Sequence, residues 1–260
     1  MRLVSYNILD GGEGRADPLA EVIEAQQPDV VALVEADNAA VVERIASRLK
    51  MDFVQATGRR HGAAILSRWP ILESINHSLL HEIFSDCVLE TTLSTPLGQE
   101  WTVAAIHLHP RARLEDESRR EQEIDQILKI FAAHRAENRP HILAGDFNAN
   151  SPIQTIDPLK CKPRTREDIE SNNGQLPRTA IQKLLDAGYV DSLQSLHGSA
   201  AGKIASFTTQ FPGQRVDYIF THGISRENLI EARIEQDRLA QFASDHFPAI
   251  LEIEFTGSIS

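Results

Sequence analysis

Short apolar runs recur along the whole chain and predict the β-strands of the fold. Residues 3–6 predict one strand, and the unbroken apolar run at 30–34 predicts a strand that is buried on both faces. Further strands are predicted at 62–66, 87–93, 101–108, 141–144, 215–220 and 248–255. Because the predicted strands are spread over the full length, they favour a single domain.

Apolar residues spaced three and four apart predict amphipathic helices between the strands. The first helix is predicted over 17–27, with Asp17 as its N-cap and Pro18 at the first helical position. Asn38 is predicted to cap a second helix, and the longest helix is predicted over 115–137. The mixture of helices and hairpin-like strand pairs predicts two packed sheets covered by helices.

No Gly/Ser-rich or Pro-rich linker divides the 260 residues, so we expect one domain over 1–260. The stretch 157–178 differs from the rest because it has no helical or strand periodicity and contains Pro158, Pro163 and Pro177. We expect this stretch to be a surface-loop insertion, and long loops in compact domains are often functional.

Composition and charge narrow the classes of function. The chain is 42% hydrophobic and 24% charged, as in ordinary globular proteins. Its net charge of −11 argues against a protein that coats nucleic acid or an anionic membrane by bulk positive charge. The acidic excess is compatible with a metal-dependent phosphate catalyst, since such sites are themselves built from carboxylates. The two cysteines, Cys87 and Cys161, exclude a disulfide framework and a cysteine zinc site.

The chain contains no apolar run near the ~18 residues of a membrane span, so we expect no transmembrane segment. Its first residues show no signal-peptide pattern, which leads to the expectation of a cytoplasmic protein. No obligate protein partner is apparent from the sequence.

Several predicted strands end in, or adjoin, a polar residue that could bind a cation or a phosphate. These residues are Asn7, Glu35, His107, Asp146, Asn148, Asp217, Asp245 and His246. Taken singly, each has an ordinary structural explanation, for example as a turn residue. Taken together, the oxygen-rich set with two histidines indicates a hydrolase that uses a hard metal ion.

Seven short motifs in a fixed order resemble those of a known family. They are Ser5-Tyr6-Asn7, Val34-Glu35, residues 65–71, Ile106-His107-Leu108, Gly145-Asp146-Phe147-Asn148, residues 215–219 and residues 244–248. The pattern resembles the endonuclease/exonuclease/phosphatase superfamily, which includes deoxyribonuclease I, apurinic endonucleases, sphingomyelinases, inositol polyphosphate 5-phosphatases and deadenylases. The resemblance extends over residues 3–255. It implies a four-layer α/β/β/α sandwich of two mixed sheets, with the site at one edge of both sheets.

The resemblance also implies a divalent metal ion and its ligands. Glu35 would be the principal ligand of Mg²⁺ or Mn²⁺, with Asn7 close by. Asp245 would support the site or a second metal ion. An oxygen-rich site without cysteine is typical of these ions rather than of structural zinc.

The catalytic roles that the resemblance implies fall on the remaining polar residues. Asp146 would activate or orient the attacking water, and Asn148 would hold the phosphate or that water. Asp217 would fix the tautomer and orientation of His246. His107 would donate to a phosphate oxygen or act as an acid.

Two departures from the family pattern bear on the substrate. Apurinic endonucleases carry an Asp two residues after the first Asn, whereas here Asp10 lies three residues after Asn7. His107 also stands where those endonucleases carry Tyr. Both differences weaken the interpretation as an abasic-DNA enzyme and favour the deoxyribonuclease- or sphingomyelinase-like members. Whether Asp10 belongs to the metal site is left open.

Two clusters of basic residues interrupt the acidic sequence. The first lies among acids, which favours a solvated surface role for Arg111, Arg113, Arg119 and Arg120. The second lies in the insertion with no acid among its four bases, Lys160, Lys162, Arg164 and Arg166. This second cluster is either a substrate-binding loop that contacts phosphate or a solvated loop.

Aromatic residues are only 6% of the chain, and Phe211, Tyr218 and Trp69 are predicted to be core residues rather than a stacking platform.

The motifs and polar residues together lead to a phosphoesterase that hydrolyses a phosphodiester or phosphomonoester by in-line attack of an activated water. Its substrate stays open between DNA or RNA and a phospholipid or small phosphorylated molecule. A non-catalytic binding module of the same fold is the remaining alternative, although none of the expected polar groups is missing.

Overall fold

The strands form two six-stranded sheets in the computed structural model, which describes residues 1–255. They are β1 (Arg2–Asn7), β2 (Val30–Val34), β3 (Asp52–Ala56), β4 (Ala63–Ser67), β5 (Ile71–Asn76), β6 (Val88–Ser94), β7 (Glu100–His107), β8 (His141–Asp146), β9 (Val190–Asp191), β10 (Asp217–His222), β11 (Leu229–Ile234) and β12 (Ala249–Ile253). The first sheet has the order β11-β12-β1-β2-β4-β3 and the second β5-β6-β7-β8-β10-β9. Both sheets are mixed, because β1 and β2 are parallel, as are β7 and β8, within otherwise antiparallel sheets.

Helices cover the outer face of each sheet. The helices are α1 (Ala16–Ala25), α2 (Ala39–Leu49), α3 (His77–Leu80), α4 (Leu114–Ile130), α5 (Ala132–Ala136), α6 (Pro163–Ser171), α7 (Thr179–Asp186), α8 (Ser192–His197) and α9 (Ala240–Ala243), and Leu193 of α8 belongs instead to the cluster between the sheets. Helices α1, α2 and α9 pack on the first sheet through residues such as Val22 and Val42. Helices α4 and α7 pack on the second sheet through Ile124 and Leu184. Within residues 1–255, no helix is both long and apolar enough to cross a membrane.

The inner faces of the sheets pack against each other and form the apolar centre of the molecule. Leu3, Ala32 and Ile65 of the first sheet belong to the same buried cluster as Val103 and Ile142 of the second. Full burial of one such aliphatic side chain contributes roughly 1.5–3 kcal/mol relative to exposure. This packing holds the two sheets in a fixed relation, and the predicted α/β/β/α sandwich is confirmed.

The two predicted helix caps have different outcomes. Asn38 caps α2, since its side-chain oxygen accepts hydrogen bonds from the backbone N–H groups of Ala40 and Val41, at 3.1 and 3.4 Å. The prediction that Asp17 caps α1 is wrong, because the helix already begins at Ala16. A proline is tolerated in this first turn, where the backbone N–H would have no partner within the helix.

The insertion 157–178 is not the loop without regular structure that its sequence suggests. One turn of 3₁₀ helix over Pro158–Lys160 leads into α6, which has Pro163 at its first position. The helix is anchored by Asp168, whose carboxylate accepts a hydrogen bond from Arg111 Nε at 2.9 Å. Contacts with the rest of the fold therefore stabilise α6. Its sequence has only a weak apolar periodicity, so the helix could not be predicted from the pattern.

Candidate active site

The topology brings the predicted polar residues together at one edge of the two sheets. Parallel strands β1 and β2 end at the same level, which places Asn7 close to Glu35. In the second sheet His107 and Asp146 are register partners at the ends of β7 and β8. The antiparallel strand β10 begins at Asp217, directly opposite Asp146. The loops at this edge carry the other three predicted residues, Asn148, Asp245 and His246.

Asn7 connects the acidic and basic members of the site. Its Nδ2 atom lies 3.0 Å from Glu35 Oε1, 3.1 Å from Asp146 Oδ2 and 3.4 Å from His246 Nε2. Its Oδ1 atom accepts a hydrogen bond from the backbone N–H of Leu9 at 3.0 Å, which fixes the orientation of the amide. Asn7 is only 1% exposed, so one buried amide sets the spacing of three reactive groups.

Glu35 presents an ionised carboxylate to the site. Burial alone would raise the pKa of Glu35, but the pKa lies below its ordinary value because His107, the Asp10 backbone N–H and Asn7 together stabilise the charged form. The Asp10 N–H donates to Oε2 at 2.8 Å. An ionised, partly exposed carboxylate of this kind is available to a cation.

A buried series of charged side chains runs from Asp217 through His246 to Asp146. His246 Nδ1 lies 2.9 Å from Asp217 Oδ2, and its Nε2 lies 3.6 Å from Asp146 Oδ2. Burial opposes protonation of His246, but Asp217 and Asp146 outweigh it and raise the pKa of His246 well above its ordinary value. Burial also raises the pKa of Asp146, although His246 opposes that shift. The arrangement places a cationic imidazole beside a carboxyl group whose pKa is raised towards neutral pH.

His107 and Asn148 lie on the other side of Asp146. His107 Nε2 is 3.7 Å from Asp146 Oδ2, and the ring is 4% exposed. The backbone N–H of Asn148 donates to Asp146 Oδ1 at 2.8 Å, while its Nδ2 donates to the Leu108 carbonyl at 3.0 Å. Asp146 is thus held by contacts on both of its oxygens.

Lys162 brings the insertion into the site. Its ammonium lies 4.1 Å from the ring centre of Phe207, and that ring packs 4.4 Å from the ring of His246. Burial lowers the pKa of Lys162, although nearby carboxylates, chiefly Asp245, oppose the shift. The residue lines the same pocket of about 230 Å³ as the catalytic candidates.

The other basic residues of the two predicted clusters do not line this pocket. In the insertion, Lys160 and Arg164 are exposed and Arg166 is half-buried, and Arg164 pairs with Glu167 at 3.2 Å. The first basic cluster is engaged within the fold rather than facing the site. Its contacts join Arg111 to Asp168, Arg113 to Asp116, Arg119 to the carbonyl of Ile83, and Arg120 to Glu117.

Arg60 and His61 also line the pocket, and reasoning from the sequence missed both. His61 Nδ1 lies 2.9 Å from Asp37 Oδ2, and this hydrogen bond is the main cause that raises the pKa of His61 to about 9. Arg60 forms an ion pair with buried Asp86. Both residues lie in the loop between β3 and β4, outside every motif that carries the family resemblance.

A second cavity of about 440 Å³ adjoins the pocket and shares with it Leu9, Lys162 and Asp245. Two aromatic side chains line it, Phe211 at 43% exposure and Phe242 at 72%. The prediction that Phe211 is a core residue is therefore wrong. This open aromatic groove gives the site room for a substrate larger than a phosphate group.

The donors at this edge fit a hard divalent cation. Carboxylate oxygens of Glu35 and Asp10 lie within 4.8 Å of each other and of a ring nitrogen of His61. Asp245 Oδ1 is buried and accepts no hydrogen bond from the part of the chain that the structure describes. Oxygen donors with free lone pairs are the ligands that Mg²⁺ and Mn²⁺ prefer.

The sequence was then compared with known proteins. The sequence profile of the Endonuclease/Exonuclease/phosphatase family matches residues 4–246. A search of curated proteins gave no significant match.

Solved structures with a similar fold come from several organisms. They include a humanized D. rerio TDP2, an AP endonuclease from Archaeoglobus fulgidus and a 3′ phosphatase, NExo, from Neisseria bound to a product DNA hairpin. Each is 19% identical to this chain and matches 98% of it, with 99%, 100% and 100% of the solved chain covered. The TM-scores are 0.68, 0.70 and 0.71. At this identity the likeness establishes the fold.

Proposed function

Because the chain belongs to the Endonuclease/Exonuclease/phosphatase family, we propose that it is a phosphoesterase that depends on Mg²⁺ or Mn²⁺. It would hydrolyse a phosphodiester or phosphomonoester by in-line attack of an activated water. The observation that carries the proposal is the Asn7 amide, which lies within 3.4 Å of Glu35, Asp146 and His246. One buried residue thereby joins a cation-binding carboxylate to a candidate base and a candidate phosphate-binding cation.

The metal would be held chiefly by Glu35, with Asn7 beside it and Asp245 contributing an oxygen or supporting a second ion. The ionised state of Glu35 supports this assignment, as does the buried Oδ1 of Asp245, which has no hydrogen-bond partner among the described residues. A bound divalent cation supplies Lewis-acid polarisation of the phosphoryl group and neutralises charge on the leaving oxygen.

Asp146 would orient the attacking water and accept its proton. The raised pKa of Asp146 suits this task, since a base works best when its pKa approaches the working pH. His246, held by Asp217, would contact a phosphate oxygen as a cation, and His107 would donate to another oxygen or act as the acid. Asn148 would hold the phosphate or the water.

Lys162 would add a positive charge that attracts the phosphate. Its support is its place in the pocket and its contact with Phe207, which packs against His246. Lys160, Arg164 and Arg166 would contact substrate only where it extends over the insertion, since none of them lines the pocket.

Nucleic acid is the substrate that we propose first. Three structures of similar fold are described as TDP2, an AP endonuclease and a 3′ phosphatase bound to a DNA hairpin. The groove beside the pocket has exposed aromatic side chains at Phe211 and Phe242, which suit the flat faces of unpaired bases. A phospholipid or a small phosphorylated molecule is the alternative, because the same rings would also contact apolar groups.

Hydrolysis of bis-p-nitrophenyl phosphate with Mg²⁺ or Mn²⁺ tests the proposal. We expect release of p-nitrophenol that chelation abolishes and that an Asp146→Ala/His246→Ala double variant has lost. If the wild-type protein and this variant are equally inactive on a panel of DNA, RNA, phospholipids and phosphorylated sugars, the protein is a non-catalytic binding module. Steep loss of activity with rising salt would separate a nuclease from an enzyme of small substrates.

A further inference from the structure

His61 lies in the loop before β4, and nothing in the family pattern of motifs includes it. One of its ring nitrogens lies within 4.8 Å of a carboxylate oxygen of Asp10 and of one from Glu35. Ligands bound at roughly 2.0–2.3 Å to one ion lie about 3–4 Å apart. A small movement of these three side chains is therefore enough to bring them onto a common cation.

Asp37 holds the His61 ring in the orientation that a metal ligand needs. Its Oδ2 atom lies 2.9 Å from His61 Nδ1, and its Oδ1 atom accepts the backbone N–H of Gly62 at 2.6 Å. The carboxylate occupies Nδ1, so Nε2 is the nitrogen that would bind a cation, with release of its proton to solvent. Histidines that bind metals almost always have their second nitrogen held in this way.

Glu35 and Asp10 are fixed relative to each other by the backbone. The Asp10 N–H donates to Glu35 Oε2 at 2.8 Å, while Asn7 Nδ2 occupies Oε1. The carboxylate of Asp10 is exposed and accepts no hydrogen bond from residues 1–255, so it can turn towards a cation.

We propose that His61 is a protein ligand of the catalytic metal ion together with Glu35 and Asp10, and that this site selects Mn²⁺ over Mg²⁺. The inference rests on the proposed function for the presence of that ion. Mg²⁺ takes oxygen ligands and gives up its waters reluctantly, whereas Mn²⁺, although it also prefers oxygen, accepts an imidazole nitrogen more readily than Mg²⁺ does. A set of two carboxylates and one imidazole therefore matches Mn²⁺ better than a site of oxygens alone.

Binding of Mn²⁺ and Mg²⁺ to the full chain tests this inference without recourse to activity. Calorimetry should show Mn²⁺ affinity at least ~10-fold weaker in His61→Gln, as expected when a ligand or its support is lost, with a smaller change for Mg²⁺. Pulsed electron paramagnetic resonance of bound Mn²⁺ should detect a coordinated imidazole nitrogen in the wild-type protein and not in His61→Gln. Asp37→Asn, which leaves the ring in place, should give an intermediate loss of affinity.

His109→Gln is the matched control. His109 Nε2 also lies beside an aspartate, Asp116, at 3.0 Å, and its side chain is 27% exposed compared with 30% for His61. The control should bind Mn²⁺ as the wild type does.

A folded His61→Gln variant that keeps both the nitrogen signal and the wild-type Mn²⁺ affinity overturns the inference. If that variant does not fold, wild-type Mn²⁺ affinity in Asp37→Asn overturns it instead. In that case, hydrolysis of bis-p-nitrophenyl phosphate by the wild-type protein would still support the proposed function. A wild-type protein that neither binds Mn²⁺ nor hydrolyses any phosphoester would overturn both.

Discussion

Asp217 Oδ2 lies 2.9 Å from His246 Nδ1, and both side chains are buried. The carboxylate accepts the Nδ1 proton of the cationic ring, so the Nε2–H is the one that faces the site. Asp217→Asn keeps the size of the side chain but removes the charge that keeps His246 cationic. We expect kcat for bis-p-nitrophenyl phosphate to fall by about 10²–10⁴-fold, with little change in the thermal unfolding temperature. A loss below about 3-fold would remove Asp217 from the proposed mechanism.

Lys162 and Lys160 belong to the same basic cluster but differ in their relation to the pocket. Lys162→Met removes the charge and keeps an apolar stem against Phe207. For an oligonucleotide substrate we expect KM to rise by about 10-fold and the salt dependence of log KM to lessen by about one unit of slope. Lys160→Met is the control, since Lys160 is exposed and outside the pocket, and on an oligonucleotide too short to extend over the insertion it should change KM by less than about 2-fold. Equal effects of the two substitutions would contradict a specific role for Lys162.

Arg215 and Asp191 form a buried bidentate ion pair, with N–O distances of 3.0 and 2.7 Å and side chains 1% and 2% exposed. Removing one partner leaves the other charge buried without compensation. Asp191→Ala should therefore lower the free energy of unfolding by about 3–5 kcal/mol. The measurement is urea denaturation followed by circular dichroism.

The exposed pair of Asp17 and Arg44 provides the comparison, because its side chains are 57% and 62% exposed. Asp17→Ala should lower the free energy of unfolding far less than Asp191→Ala does, because solvent screens an exposed ion pair. Similar decreases in the free energy of unfolding for Asp17→Ala and Asp191→Ala would show that burial of the ion pair does not determine how much stability is lost.

His141 should make the stability of the fold depend on pH. Its Nε2 lies 2.8 Å from the Tyr189 hydroxyl, its Nδ1 donates to the Arg139 carbonyl at 2.8 Å, and burial lowers its pKa to about 4. The ordinary pKa of 6.5 applies in the unfolded chain, which therefore binds the proton first as the pH falls. The stability of the neutral, buried ring is fully present above pH 6.5 and is lost progressively between pH 6.5 and 4, by about 3 kcal/mol.

Urea denaturation at several pH values, for the wild type and His141→Gln, isolates this contribution. The variant should be less stable at pH 7.5 and should lose less stability on acidification than the wild type. Parallel pH profiles would assign the acid sensitivity to other groups.

The interior strands could be predicted from the sequence, whereas the edge strands β3, β5, β9 and β11 could not. The run at 30–34 is entirely buried in β2, so its pattern is unambiguous. Strands β3, β5 and β11 lie at sheet edges and carry mostly exposed or half-exposed residues. Polar residues are tolerated there on both faces, which removes the apolar period that prediction depends on.

The candidate site could be predicted in its strand-end residues but not in its loop residues. Asn7 and Asp146 follow apolar runs, and the topology carries such positions to one sheet edge. His61 stands in a loop whose approach to Glu35 depends on the pairing of β3 with β4. Among the aromatic residues, Tyr218 is buried as predicted, whereas Phe211 is not, because the loop that carries it faces solvent.

Asn7 and Asp146 come from different sheets, so the hydrogen bond between them crosses the junction of the two halves of the sandwich. Glu35 belongs to the first half, whereas His107 and Asp217 belong to the second. Neither half contains a complete set of reactive groups, even if its strands were to form alone. Catalytic turnover therefore requires both halves of the sandwich to be assembled. The recovery of activity during refolding would report when the two sheets dock, rather than when either sheet forms.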